Sequence, residues 1–138
     1  APEIFPFLRR YENKFRHIRF VRQENLATVF QQASVFVIAS IQDGCPAVVH
    51  EAAACGLPVI VSENVGTTIR DGVDGFVVPA RSSEAIAEKL IYLYNHPGDC
   101  RSMGQSAHRH VQQFTWDKYH DELSSHYASI WQRHHSTG

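Results

Sequence analysis

Residues 39–66 read ASIQDGCPAVVHEAAACGLPVIVSENVG, and the reading of this stretch decides the fold. The run that enters it, Val35-Phe36-Val37-Ile38-Ala39, is short, apolar and unbroken, which suits a strand buried on both faces. Gln42-Asp43-Gly44 reads as a loop. Pro46 then stands where a helix can begin, because the first helical turn has no use for the N–H that proline lacks. The helix is expected to run to about Cys55, with Gly56 as its C′ residue and Pro58 preventing continuation. Val59-Ile60-Val61 is the next buried strand. Strand, helix and strand this close together imply a parallel pair with a right-handed crossover.

Two carboxylates punctuate the unit. Asp43 lies in the loop and Glu51 inside the helix. Val48, Val49, Ala52 and Ala53 form the apolar side expected to face the sheet, while Ala47, Glu51 and Ala54/Cys55 share a neighbouring stripe. Small side chains around Glu51 leave room for a ligand close to the backbone. Ligands of open α/β sheets bind beyond the carboxyl ends of the strands, where Asp43, Gly44 and the helix start are expected. The N–H groups of Ala47 and Val48 have no intrahelical acceptor and carry the positive end of the helix dipole, which suits a phosphate. Taken alone, the same features also read blandly. Asp43-Gly44 is a turn signal, and Glu51 is a solvated helix residue.

The wider chain sets bounds. Its 138 residues suit a single domain large enough for a sizeable core. With 43% hydrophobic and 20% charged residues it has the composition of a globular domain, and a formal charge of −1 gives no reason to invoke nucleic acid or an anionic membrane surface. No apolar run approaches the roughly 20 residues of a membrane span. Cys45, Cys55 and Cys100 are odd in number and lack metal spacing, which favours a reducing, cytoplasmic setting. The nine histidines show no zinc spacing either, and those at 108, 110, 120 and 126 read as solvated helix residues. His50 is expected to pack with one ring nitrogen hydrogen-bonded.

The organising stretch carries a resemblance. Ser40-x-x-Asp43-Gly44-x-Pro46, then Glu51-Ala52-x-Ala54-x-Gly56-x-Pro58-Val59-Ile60, then Gly66 and Asp71-Gly72-x-x-Gly75-Phe76-x-Val78, resemble the donor-nucleotide half of glycosyltransferase family 4. Those are retaining enzymes of the GT-B fold, marked by an acidic residue, seven residues, then Glu. Here the pair is Asp43 and Glu51, with Asp in place of the more usual Glu. The resemblance runs from about Arg19 through most of the chain. It departs at Val65-Gly66, where the family usually has paired glycines followed by an acidic residue.

The fold expected from both readings is one α/β domain over residues 1–138. It has a Rossmann-like parallel sheet of about four strands flanked by helices. An amphipathic helix is expected over about residues 3–14, a strand at 17–21 and a short helix at 25–32. Asp71-Gly72 and Asp74-Gly75 read as turns before a last strand at 76–78. Ser82 or Ser83 caps a helix over 84–94 with Ile86, Leu90, Ile91 and Leu93 inward. Helices over 99–113 and, capped by Thr115, over 116–133 complete the chain. By resemblance the last packs on an N-terminal acceptor domain, so some of Tyr119, Tyr127 and Trp131 are expected to be exposed without it.

The resemblance assigns Asp43 and Glu51 to catalysis. It assigns Arg22, Ser40, Gly44, Cys45, Pro46, Ala47 and Glu51 to binding the donor, a nucleoside diphosphate sugar. Glu51 would hold the ribose hydroxyls, Asp43 the sugar hydroxyls, and Arg22 the base, mainly through backbone. No metal and no further cofactor are implied. The chain is then expected to be most of a C-terminal donor domain, without its first strand and the basic residues that hold the diphosphate. It would bind donor weakly and transfer nothing alone, and reach a membrane only through the full-length protein. Two rivals remain at this stage: a sugar-nucleotide epimerase-type enzyme of the same architecture, and a non-catalytic α/β binding or regulatory module. A dehydrogenase is disfavoured, since no GxGxxG follows a strand.

Overall fold

A computed structural model describes residues 10, 11 and 13–135. The helix expected over residues 3–14 falls mostly outside them. The elements run α1 (Gln23–Phe30), β1 (Phe36–Ile38), α2 (Ala47–Ala54), β2 (Val59–Ser62), β3 (Gly75–Val78), α3 (Ser83–Asn95), α4 (Pro97–Val111) and α5 (Trp116–His135).

The three strands are parallel in the order β1-β2-β3, with Phe36 opposite Val59 and Val59 opposite Gly75. All strands therefore release their following loops along one edge. β2 is the centre, and each of its residues is buried. Its side chains alternate as a pleated strand requires. Val59 and Val61 pack with Val49 and Ala53 of α2 and with Ala107 and Val111 of α4. Ile60 turns the other way, to Val78, Leu93 and Met103. Complete burial of each of these aliphatic side chains contributes about 1.5–3 kcal/mol, which is why the Val-Ile-Val run is the anchor of the sheet. A third cluster, Phe30, Ala52 and Leu57 with Leu26 and Val48 against it, fixes α1 to α2.

The sheet has three strands among the described residues where about four were expected. Residues 17–21 form no ladder. Ile18 and Phe20 are exposed, and β1 pairs with β2 alone. A β-rich stretch becomes a strand only beside a neighbour that meets its N–H and C=O groups.

Most helix boundaries follow their sequence signals. Gly56 has φ +81° at the end of α2, a conformation glycine adopts without a Cβ clash. The Ser82 hydroxyl accepts from the Ala85 N–H at 3.2 Å and caps α3, and Thr115 accepts from the Lys118 N–H at 3.3 Å. Pro97 begins α4, earlier than expected, because a first-turn position tolerates it. Leu90 and Ile91 are both exposed rather than inward; of the four residues expected to face the sheet, Ile86 and Leu93 pack with its apolar cluster. No residue of α5 is buried, and Tyr119, Tyr127 and Trp131 are all exposed. No described helix is long and apolar enough to cross a membrane.

The turn before β3 holds a charge the sequence does not advertise. Asp74 is fully buried, and its carboxylate accepts from Arg70 Nε and Nη2, both at 2.8 Å, and from the Arg70 backbone N–H at 3.2 Å. Arg70 Nη2 also reaches the Ser106 hydroxyl at 3.1 Å, tying the turn to α4. Burial pushes the Asp74 carboxyl upward, but hydrogen bonds from Arg70 and Ser106 outweigh it and hold the group at about 2.

Candidate functional site

The loop that leaves β1 and the loop that leaves β2 are sewn together at the carboxyl edge of the sheet. The Asp43 N–H donates to the Asn64 carbonyl at 3.2 Å, and the Gly66 N–H donates to the Asp43 carbonyl at 2.8 Å, a one-residue parallel bridge of Asp43 with Val65. Behind it, the Ser62 hydroxyl donates to the Ser40 carbonyl at 2.5 Å. The two loops run so close that a Cβ on Gly66 would stand 1.8 Å from the Gly44 carbonyl oxygen. Only glycine fits there.

This clamp fixes the approach to α2. Pro46 is the N-cap, extended at φ −70° and ψ 115°, and offers no side chain to the orphan N–H groups of the first turn. Gly44, Cys45 and Ala47 are exposed at this mouth, and the Cys45 thiol is free. Asp43 is half-buried, and no partner binds its carboxylate among the described residues. Glu51 lies one turn beyond Ala47, half-buried, as the i, i+4 spacing requires. The structure thus brings Ser40, Asp43, Gly44, Cys45, Pro46, Ala47 and Glu51 along one loop and helix start.

Arg22 arrives from elsewhere. It is the N-cap of α1, with its side chain exposed and paired loosely to Glu24 at 3.7 Å. Its neighbour Gln23 donates from Nε2 to Glu51 Oε1 at 3.1 Å. The start of α1 therefore lies beside the acidic residue of α2. Sequence reasoning missed Gln23, since nothing local signals a contact across 28 residues.

The flank of α2 opposite α1 is also more structured than the sequence suggested. His50 Nε2 meets the Thr68 hydroxyl at 3.1 Å, as expected for a packed histidine. His110 Nε2 meets the Thr68 carbonyl at 2.9 Å, and His108 Nδ1 meets the Ala54 carbonyl at 2.7 Å. These two are not merely solvated: they join α4 to the 66–69 loop and to the end of α2. The Phe114 ring stands edge-on to both His50 and His110. Burial, and then the neighbouring His110, push the His50 imidazole below its ordinary value. No group of three His, Cys, Asp or Glu able to hold a metal occurs among the described residues.

The architecture is that of solved proteins. Sucrose-phosphate synthase from Thermosynechococcus elongatus superposes with a TM-score of 0.85 over 96% of this chain and 34% of its own, at 24% identity. Anabaena Alr3699/HepE in complex with UDP-glucose gives 0.81 over 93% of this chain and 36% of its own, at 17% identity. The α/β domain is a parallel sheet flanked by helices with the GT-B-like fold of glycosyltransferases.

The family is shown by sequence. Residues 4–96 match the model of the glycosyl transferases group 1 family, and the chain belongs to it. The D-inositol 3-phosphate glycosyltransferase of Streptomyces bingchenggensis is 38% identical over 98 residues, which are 70% of this chain and 22% of that protein. A putative glycosyltransferase of Bacillus subtilis, EpsD, is 32% identical over 103 residues, 73% of this chain and 27% of its own length. The chain thus spans about a quarter of the length of the curated relatives it matches.

Proposed function

We propose that this chain is the donor-binding domain of a retaining, family 4 glycosyltransferase that takes its sugar from a nucleoside diphosphate. The reading rests above all on one arrangement: Asp43 and Glu51 flank an uncapped helix start whose loop is clamped to the next loop of the sheet. The group 1 match supports it, as does the UDP-glucose complex of the structurally similar Anabaena protein.

Each residue then has a task set by its chemistry. Glu51, an acceptor-only carboxylate, takes two hydrogen bonds from the vicinal ribose hydroxyls. Backbone N–H groups from Gly44 to Ala47 and the positive end of the α2 dipole hold the diphosphate and oppose the charge that builds on it as the sugar leaves. Asp43 holds sugar hydroxyls near the reacting carbon, and Arg22 meets the base through its backbone. The arrangement uses no metal. The acceptor site belongs to an N-terminal domain of the complete enzyme, so this chain alone binds donor without transferring sugar.

Charge-assisted hydrogen bonds are worth about 1.5–3 kcal/mol each, so Glu51→Gln should weaken nucleotide binding about tenfold or more. Calorimetric titration tests the division of labour. Glu51→Gln should weaken a nucleoside diphosphate and its sugar conjugate alike, whereas Asp43→Asn should weaken only the conjugate. Equal, negligible effects of both substitutions would support a non-catalytic module instead.

A further inference from the structure

We infer that Gln23 is a positioning residue for Glu51, setting which carboxylate oxygen is offered to the ribose. The inference rests on the donor-binding reading above and goes beyond it.

The contact has one chemical sense. A carboxylate only accepts, so the Gln23 amide must present an N–H, and the 3.1 Å contact runs from Nε2 to Oε1. Oε1 is thereby occupied on one side and Oε2 is left for a ligand. Without a partner, a half-exposed glutamate on a helix samples several rotamers and must be ordered when the ligand arrives. A donor already in place meets part of that ordering in advance, which is what preorganisation contributes to affinity.

Gln23 is anchored to do this. Gln23, Leu26 and Phe30 lie at i, i+3 and i+7, one face of α1. Phe30 and Leu26 pack with Ala52 and Val48 of α2, the neighbours of Glu51 on the facing helix. The Gln23–Glu51 hydrogen bond is the polar end of that apolar contact, so the amide is held by the same packing that holds the two helices. The adjacent cation does not compete for the carboxylate, because the Arg22 guanidinium turns to Glu24. Gln23 itself is exposed at the first position of α1, so replacing it leaves the core untouched.

Titration of the protein with uridine, guanosine and adenosine diphosphates and their 2′-deoxy counterparts tests this. The wild type, Gln23→Ala, Glu51→Ala and the double variant are compared by calorimetry, with folding checked by circular dichroism. The expected result is a ribo-over-deoxy preference that Glu51→Ala abolishes. Gln23→Ala should lower it about threefold to tenfold, the net worth of one ordinary hydrogen bond, because Gln23 acts on the ligand only by ordering Glu51. The double variant should bind no worse than Glu51→Ala alone, because Gln23 acts only through Glu51. A preference that Glu51→Ala removes but Gln23→Ala leaves intact overturns the positioning role while sparing the donor reading. Additive losses in the double variant do the same, assigning Gln23 a separate contact. A wild type that binds none of the nucleotides overturns both.

Discussion

Replacing Asp74 with asparagine should remove one measurable block of stability and, with it, one limb of the acid unfolding curve. Asp74 is held at about 2 in the folded chain, against an ordinary carboxyl value of 3.8. One pK unit corresponds to about 1.36 kcal/mol, so the ionised form is favoured by roughly 2.5 kcal/mol on folding. The Arg70 side chain is 49% exposed, and solvent screening trims this to about 2 kcal/mol. The folded value is the lower one, so the contribution is complete above the ordinary carboxyl value. It is lost as pH falls through about 2. Asp74→Asn keeps the shape of the side chain and removes its charge. At pH 7 it should destabilise the domain by about 2 kcal/mol, roughly 8 °C in Tm. Urea unfolding of both proteins at a series of pH values is the assay. The two stability curves should stand apart at pH 7 and converge between about pH 5 and 2. A gap below about 0.5 kcal/mol at pH 7, or one that persists unchanged to pH 2, would refute the reasoning.

Further outcomes follow from close contacts and from titration. Gly66→Ala would place a Cβ 1.8 Å from the Gly44 carbonyl, a backbone atom that cannot step aside. The clamp should open, and nucleotide affinity should fall about tenfold in calorimetry while the circular dichroism spectrum is kept. At Gly104 an added Cβ would stand 2.1 Å from the Gly56 carbonyl oxygen. Gly104→Ala should therefore destabilise by about 1–3 kcal/mol in urea, although alanine is the better helix former by about 1 kcal/mol. His50 should titrate below its ordinary 6.5 in carbon-13 NMR, and His110→Gln should raise its midpoint. The neutral form is favoured on folding, so its contribution to stability is complete above 6.5 and lost as pH falls through the lowered value.

The parts of this molecule legible in sequence are those that local rules govern. Val59-Ile60-Val61 could hardly be other than a buried strand, Gly56 and Pro58 end α2 where they stand, and Ser82 and Thr115 cap as their side chains allow. The α2 loop and the spacing of Asp43 and Glu51 were readable because turn and helix geometry fix them within ten residues. What failed depends on neighbours. Residues 17–21 have strand chemistry and no ladder partner. Asp74 reads as a turn residue because Asp-Gly is a turn signal, yet the Arg70 fork makes it a buried anion. The i, i+4 spacing of Arg70 and Asp74 was the available clue. His108 and His110 read as solvated because their partners, Ala54 and Thr68, lie 54 and 42 residues away. Gln23 went unnoticed for the same reason.

The most direct test of the account is ligand-observed NMR with UDP-, GDP- and ADP-sugars, on the wild type and on a folded Glu51→Ala. Saturation should pass to the ribose protons of one nucleotide in the wild type and fail in Glu51→Ala, which would also name the base. Equal transfer to the ribose in both proteins would contradict the role given to Glu51, and with it the donor-binding site built around α2.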